Sequence, residues 1–161
     1  MPKFVADSAE TTGLKWAAPA GGGKVLQVIQ ATTSSATSST STTFGNSNLT
    51  ANITPSAATS KVLIMVTIPE VYKDSAQPAN GVKLRLARGA TGIFQFATDG
   101  LYTNDNSNLY NTISASYLDS PSTTSSTTYN VQIASRNATY QVGMIDSGSS
   151  VGSIILMEIG A

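Results

Sequence analysis

Apolar and polar residues alternate with a period of two through most of residues 24–161, and no ten-residue window shows a helical period. Residues 24–31, KVLQVIQA, place Val25 and Ile29 on one face and Leu26 and Val28 on the other, so this strand is expected to be covered on both sides. The Ser/Thr run 32–43 is expected to be a loop that becomes a strand near Ser41. That strand should run through Phe44, break at 45–48 and resume over 49–53. Residues 61–68, KVLIMVTI, carry Val62, Ile64, Val66 and Ile68 on one face and Leu63 and Met65 on the other. This pattern predicts a central strand, with Pro69 ending it. Residues 81–88 turn Val82, Leu84 and Leu86 inward and Lys83, Arg85 and Ala87 outward. A glycine-flanked hairpin at 88–92 then leads back through Phe94 and Phe96. Residues 99–108, DGLYTNDNSN, form the longest polar excursion and the expected exposed tip. Further strands align Ile113, Ala115 and Tyr117, then Tyr129, Val131 and Ile133, and a short one opens with Tyr140, Val142 and Met144. The last, 151–159, carries Ile155, Met157 and Ile159 on one face and Ile154 and Leu156 on the other.

About nine short strands with turns between them and no helix predict an all-β fold, an antiparallel β-sandwich of jelly-roll type. Residues 24–161 make up this domain. Two of its strands, 61–68 and 151–159, are apolar on both faces, which exceeds what one sandwich core needs. The surplus predicts a closed homo-oligomer in which one sheet packs on a neighbouring copy, with a homotrimer the expected form.

Residues 1–23 have no such pattern and read as a docking arm and hinge. The arm carries Phe4, Val5, Leu14 and Trp16 in a segment too short and polar to bury them. Asp7 and Glu10 suit a single capped helical turn closed by Gly13. Gly21, Gly22 and Gly23 after Ala-Pro-Ala form the hinge. Fully extended, such an arm reaches about 70 Å, enough to cross a neighbouring subunit.

Charge and composition narrow the functional classes. Nine basic and nine acidic residues give a net charge of zero with no basic stripe, against nucleic-acid binding. Lys83, Arg85 and Arg88 are the one local basic cluster, read as a solvated strand face. With no cysteine and no histidine, the chain has no thiolate or imidazole chemistry. No signal peptide and no membrane-spanning apolar run are expected. Glu70, Asp74, Asp99, Asp105, Asp119 and Asp146 are the carboxylates available for a glycosidase-like pair, but all fall on expected turns, where Asp caps its own backbone. Asp99, Asn104, Asp105 and Asn106 offer oxygen ligands, yet their spacing fits no known calcium loop, and no catalytic residue, metal or cofactor is expected. Binding is easier to argue: Tyr102, Asn104, Asp105, Asn106 and Tyr110 combine stacking rings with hydrogen-bonding groups suited to a glycan, and Tyr72 and Tyr140 lie near other strand ends. The sequons at Asn48, Asn52 and Asn137 carry no weight in so Thr-rich a chain.

The arm VADSAETTGLKWAAPAGGG resembles a segment of tail-fibre and other virion structural proteins of tailed bacteriophages, through Ala6, Asp7, Ser8, Ala9, Gly13, Leu14, Lys15 and Trp16. The segments KVLQVIQATT, ITPSAATSKVLIMV, SYLDSPSTTSSTTYNVQI and ILMEIGA are similar to the display domain of the same family. The resemblance implies a non-enzymatic virion protein, assembled in the host cytoplasm. Its arm would dock on tail or capsid proteins, and its β domain would face a host surface. A capsid decoration protein and a polysaccharide depolymerase are the alternatives.

Overall fold

The computed structural model describes residues 3–6, 14–17, 23–74, 78–146 and 148–160. Twelve strands run in the order β1 (Lys3–Ala6), β2 (Leu14–Ala17), β3 (Val25–Thr33), β4 (Thr37–Ser39), β5 (Gly45–Ile53), β6 (Lys61–Lys73), β7 (Asn80–Arg88), β8 (Thr91–Thr103), β9 (Leu109–Asp119), β10 (Thr127–Ser135), β11 (Val142–Met144) and β12 (Gly152–Ile159). The eight long strands pair as nested partners: β3 with β12, β5 with β10, β6 with β9 and β7 with β8, all antiparallel. The body is therefore one long hairpin rolled into two sheets. One sheet runs β5-β10-β7-β8. The other runs β3-β12-β6, with β9 on the far side of β6 and β11 and β4 completing it at one end. This is the jelly-roll arrangement, which limits exposed edges by folding one double ribbon over itself.

The alternation decides what is buried. Val62, Ile64, Val66 and Ile68 of β6 point into the sandwich, each at most 3 % exposed. Facing them are Leu84 and Leu86 of β7 and Tyr129, Val131 and Ile133 of β10, with Ile154 and Leu156 of β12 beside them in the same core. Leu84, Leu86, Tyr129, Val131 and Ile133 are the inward residues the sequence pattern predicts, β6 and β12 each bury one of their two apolar faces, and Ala87, expected outward, is fully buried.

Several expectations change. β3 is not covered on both sides: Val25, Leu26 and Val28 are exposed, because β3 is the edge strand of its sheet. The Ser/Thr run holds the end of β3 and the short strand Thr37–Ser39, and the break falls at 40–44 instead of 45–48. Pro69 does not end β6. The strand bulges between Ile68 and Val71, with Glu70 at φ 51°, and continues to Lys73. A bulge is where a strand accommodates a residue without an N–H. β8 likewise continues past a bulge, with Leu101 at φ 60°, so the polar tip shrinks to residues 104–108.

Two buried carboxylates lock the body. Asp119, at the end of β9, accepts hydrogen bonds from the Tyr129 hydroxyl at 2.6 Å and Arg88 Nη1 at 2.8 Å, joining the two sheets. Burial, and then the bond to Asp119, raises the Tyr129 phenol far above its ordinary value. Glu158 accepts from Gln27 Nε2 at 2.6 Å and from the N–H and hydroxyl of Ser56 at 2.7 and 2.6 Å, tying β12 to β3 and to the 54–60 turn. Burial alone pushes the Glu158 carboxyl up, but these hydrogen bonds outweigh it and hold it at about 2, below the ordinary 4.5.

Because the folded value lies below the unfolded one, Glu158 contributes stability above pH 4.5 that is lost as pH falls toward 2. Thermal melts across that window should therefore decline more steeply for the wild type than for Glu158→Gln; equal slopes would contradict this role. Asp119→Ala leaves the Tyr129 hydroxyl buried without its acceptor and should cost about 2–3 kcal/mol in urea unfolding, against about 1 kcal/mol for Tyr129→Phe.

Candidate functional site

The strands run between two ends. At one end lie Gly23, Lys24, the 54–60 turn and Gly160. There the Gly23 N–H donates to Gly160 O and the Gly160 N–H to Lys24 O, both at 2.8 Å. Gly23, at φ 100°, is thus pinned to the body, and of the three hinge glycines it is not a free joint. Gly21 and Gly22 lie outside the described residues, as does the expected helical turn over 7–13. The arm segments that are described form a hairpin whose register pairs Phe4 with Trp16 and Ala6 with Leu14, and Lys3 with Ala17 and Val5 with Lys15. The expected docking residues Phe4, Val5, Leu14 and Trp16 all belong to this hairpin.

At the opposite end, the tyrosines and the 104–108 loop come together. Tyr72 at the end of β6 lies 5.7 Å, centroid to centroid, from Tyr110 at the start of β9. Gly143 makes room for this, since a Cβ there would run into the Tyr72 ring. Tyr110 is 51 % exposed, and its hydroxyl donates to Asp146 Oδ2 at 3.1 Å. That bond, more than burial, raises its phenol above the ordinary value. Tyr102 is 41 % exposed and donates to Asn104 Oδ1 at 2.7 Å, and the Arg136 guanidinium sits 4.4 Å over its ring. Arg136 also reaches Asp99 at 3.5 Å. The loop is fastened from below. The fully buried Lys73 sends its ammonium to the carbonyls of Asp105 and Ser107 at 3.0 and 3.2 Å, and the Thr103 hydroxyl donates to Asp105 Oδ2 at 3.2 Å. All five expected contact residues, Tyr102, Asn104, Asp105, Asn106 and Tyr110, are exposed at this end. Tyr102 and Tyr110 stand on strands instead of in the loop.

Five of the six non-glycine residues with positive φ among the described residues, Glu70, Ala79, Leu101, Thr139 and Ile145, converge on this same end. Such conformations cost about 1–3 kcal/mol each and persist where surrounding structure holds them. Neither this strain nor the part of Lys73 and Arg136 in the site has a signature in the sequence.

Four of the six candidate catalytic carboxylates can be assigned side-chain partners among the described residues. Asp99 faces Arg136, Asp105 accepts from Thr103, Asp146 from Tyr110, and Asp119 from Arg88 and Tyr129. Among the described residues, no group of three or more His, Cys, Asp or Glu is placed to hold a metal ion, and no helix is long and apolar enough to cross a membrane. The basic cluster is divided: Arg88 turns inward to Asp119, while Arg85 faces out, donating to Gln132 Oε1 at 2.6 Å and lying 4.2 Å over the Phe44 ring.

The two outer faces differ in kind. Across the β5-β10-β7-β8 sheet, Asn46, Gln132, Arg85 and Gln95 stand in register, and Gln132 Nε2 donates to Asn46 Oδ1 at 2.7 Å. Across the other sheet, the matching row is Val28, Met157, Leu63 and Leu118, and the next is Gln30, Ile155, Met65 and Ser116. Val28 is 54 %, Met65 41 % and Leu118 48 % exposed. A shallow depression of about 350 Å³ lies over Met65, Thr67, Ser114 and Ser116.

These features define a jelly-roll sandwich with an arm at one end, a tyrosine-lined loop at the other and one uncovered apolar face. No family model matches the chain, and no curated protein matches it. Among solved structures it is similar to the infectious bursal disease virus VP2 subviral particle, with a TM-score of 0.46 and 15% identity over 99% of this chain and 38% of that one. The chain thus spans well under half the length of that protein, and so remote a likeness says nothing of what this chain binds.

Replacing Lys73 by Met should leave the core intact but free the loop. Hydrogen exchange of amides 104–108 should speed up at least tenfold (about 1.4 kcal/mol), with β10 amides unchanged. Unaltered loop exchange would refute the anchoring role.

Proposed function

We propose that the chain is a non-enzymatic structural protein of a bacteriophage virion, fibre- or spike-like and homotrimeric. Its arm holds it on the particle, and its 104–108 end meets a glycan of the host surface. The observation that carries this reading is the separation of the two ends. The arm joins the body beside Gly160, while Tyr102 and Tyr110 stand at the other end of β6. That strand has thirteen residues, so about 40 Å lies between the attachment and the display surface. Exposed phenol rings with Asn, Asp and Arg neighbours suit a polyhydroxyl ligand, which stacks its apolar face on a ring and offers hydroxyls to the polar groups. The resemblance of the arm and the later segments to phage tail-fibre proteins supports the same reading.

Purified protein should adsorb to cells of the host bacterium, and the double variant Tyr102→Ala/Tyr110→Ala should lose at least tenfold in binding with an unchanged melting temperature. Particles assembled with Trp16→Ala should lack the protein, although its β body still folds. Normal particle incorporation of both variants with no adsorption by the wild type would shift the assignment to a capsid decoration protein. Shortened host polysaccharide after incubation would contradict the non-enzymatic reading.

A further inference from the structure

We propose that the Tyr110 side of the 104–108 end takes a glycan free of acidic groups, held by hydroxyl protons that the sugar donates to Asp146 and to the Tyr110 oxygen. The proposal rests on the attachment role given to this end above and names the class of ligand it accepts.

The ring is a prepared surface. Tyr110 packs against Tyr72 with 5.7 Å between centroids and 31° between planes, yet it remains 51 % exposed. One side of the ring is therefore backed by protein, and the other faces out. Tyr72 is itself buried and held in place: Gln141 Nε2 donates to its hydroxyl at 3.2 Å, and Gly143 leaves room for its ring. A backed phenol ring suits the apolar face of a sugar, and its polar tip stays within reach of the sugar hydroxyls.

The protons of this surface are already spent. Tyr110 has one hydroxyl proton and gives it to Asp146 Oδ2, so the phenol offers a ligand only its oxygen. Asp146 is exposed, takes that proton through one oxygen and keeps the other as an acceptor. Asp74 is near enough for its charge to act on the same phenol. Around Tyr102 the pattern repeats: its proton goes to Asn104 Oδ1, and the Thr103 proton goes to Asp105 Oδ2.

The cations nearby do not offset this. Lys73 is fully buried, with its ammonium on the carbonyls of Asp105 and Ser107. Arg136 meets Asp99 at 3.5 Å and lies over the Tyr102 ring. A sugar carboxylate, sulfate or phosphate set on Tyr110 would face like charge and would find acceptors where it needs donors, and both weaken binding. Sugar hydroxyls donate as well as accept, so they satisfy Asp146 and the phenol oxygen. An amino sugar satisfies the same groups; an acidic sugar does not.

Surface polysaccharide of the host bacterium, separated on an anion exchanger into an unretained fraction and a retained acidic one, supplies the test. Each fraction is added as a competitor while full-length protein adsorbs to host cells. The unretained fraction should block adsorption, and the acidic fraction should not. Blocking by the acidic fraction, or by neither, overturns the proposal. Asp146→Asn preserves the size of the side chain and an oxygen for Tyr110, but it removes the charge and one acceptor. It should weaken adsorption at least about tenfold with an unchanged melting temperature. Unchanged or tighter adsorption, the result an anionic ligand would give, overturns the proposal. If the wild type adsorbs and these results fail, the attachment reading stands without this ligand class; if the wild type does not adsorb, both fall.

Discussion

Strand β6 has apolar residues on both faces, and only one of them is buried; Met65, on the other, is 41 % exposed. Val62, Ile64, Val66 and Ile68 fill the sandwich, and with β6 hydrogen-bonded on both sides the backbone has no freedom to turn Leu63 and Met65 anywhere but out. The alternation of a strand is fixed at two residues, so burying one set commits the other. β12 repeats the arrangement beside it, with Ile154 and Leu156 inward and Ile155 and Met157 outward. The uncovered face therefore follows from the same pattern that builds the core, and it falls on the sheet that also carries the arm.

The rest of the molecule is arranged along the strand axis. Buried polar links hold the arm end: Glu158 with Gln27 and Ser56, and Asp119 with Arg88 and Tyr129. The far end stores strain in Glu70, Thr139 and Ile145 and fixes its loop from beneath with Lys73. Exposed rings held on strands beside a fastened loop lose little conformational freedom on binding. The polar ladder on the outer face of the second sheet leaves that face to water.

The fold was largely legible in the sequence because the period of two is strong in β6, β7, β10 and β12; the inward residues of β10 and Val82, Leu84 and Leu86 of β7 are the expected ones, while which apolar face of β6 and β12 turns in needed the structure. Edges and bulges were not legible. Pro69 reads as a stop, yet a bulge at Glu70 carries β6 on to Lys73; β3 reads as a covered strand, yet it lies at an edge. Neither fact has a local signature, because both depend on which strands become neighbours. The candidate contact residues are suggested by their chemistry, Tyr with Asn and Asp, and the structure brings them to one end. Arg136 and Lys73 were missed because they approach the loop from distant elements. Asp119 reads as a turn cap, and only the closing of the two sheets brings it to Arg88 and Tyr129. The pairing of 3–6 with 14–17 has no signature in the arm's sequence.

The central claim is that the two ends of the β body serve different roles, with the Gly23–Gly160 end toward the particle and the exposed Tyr102 and Tyr110 at the far end outward. A side-chain-resolution reconstruction of the particle tests it most directly. The account predicts Gly160 next to a particle protein and residues 104–108 outermost; the reverse orientation, or both ends buried in the particle, would contradict it.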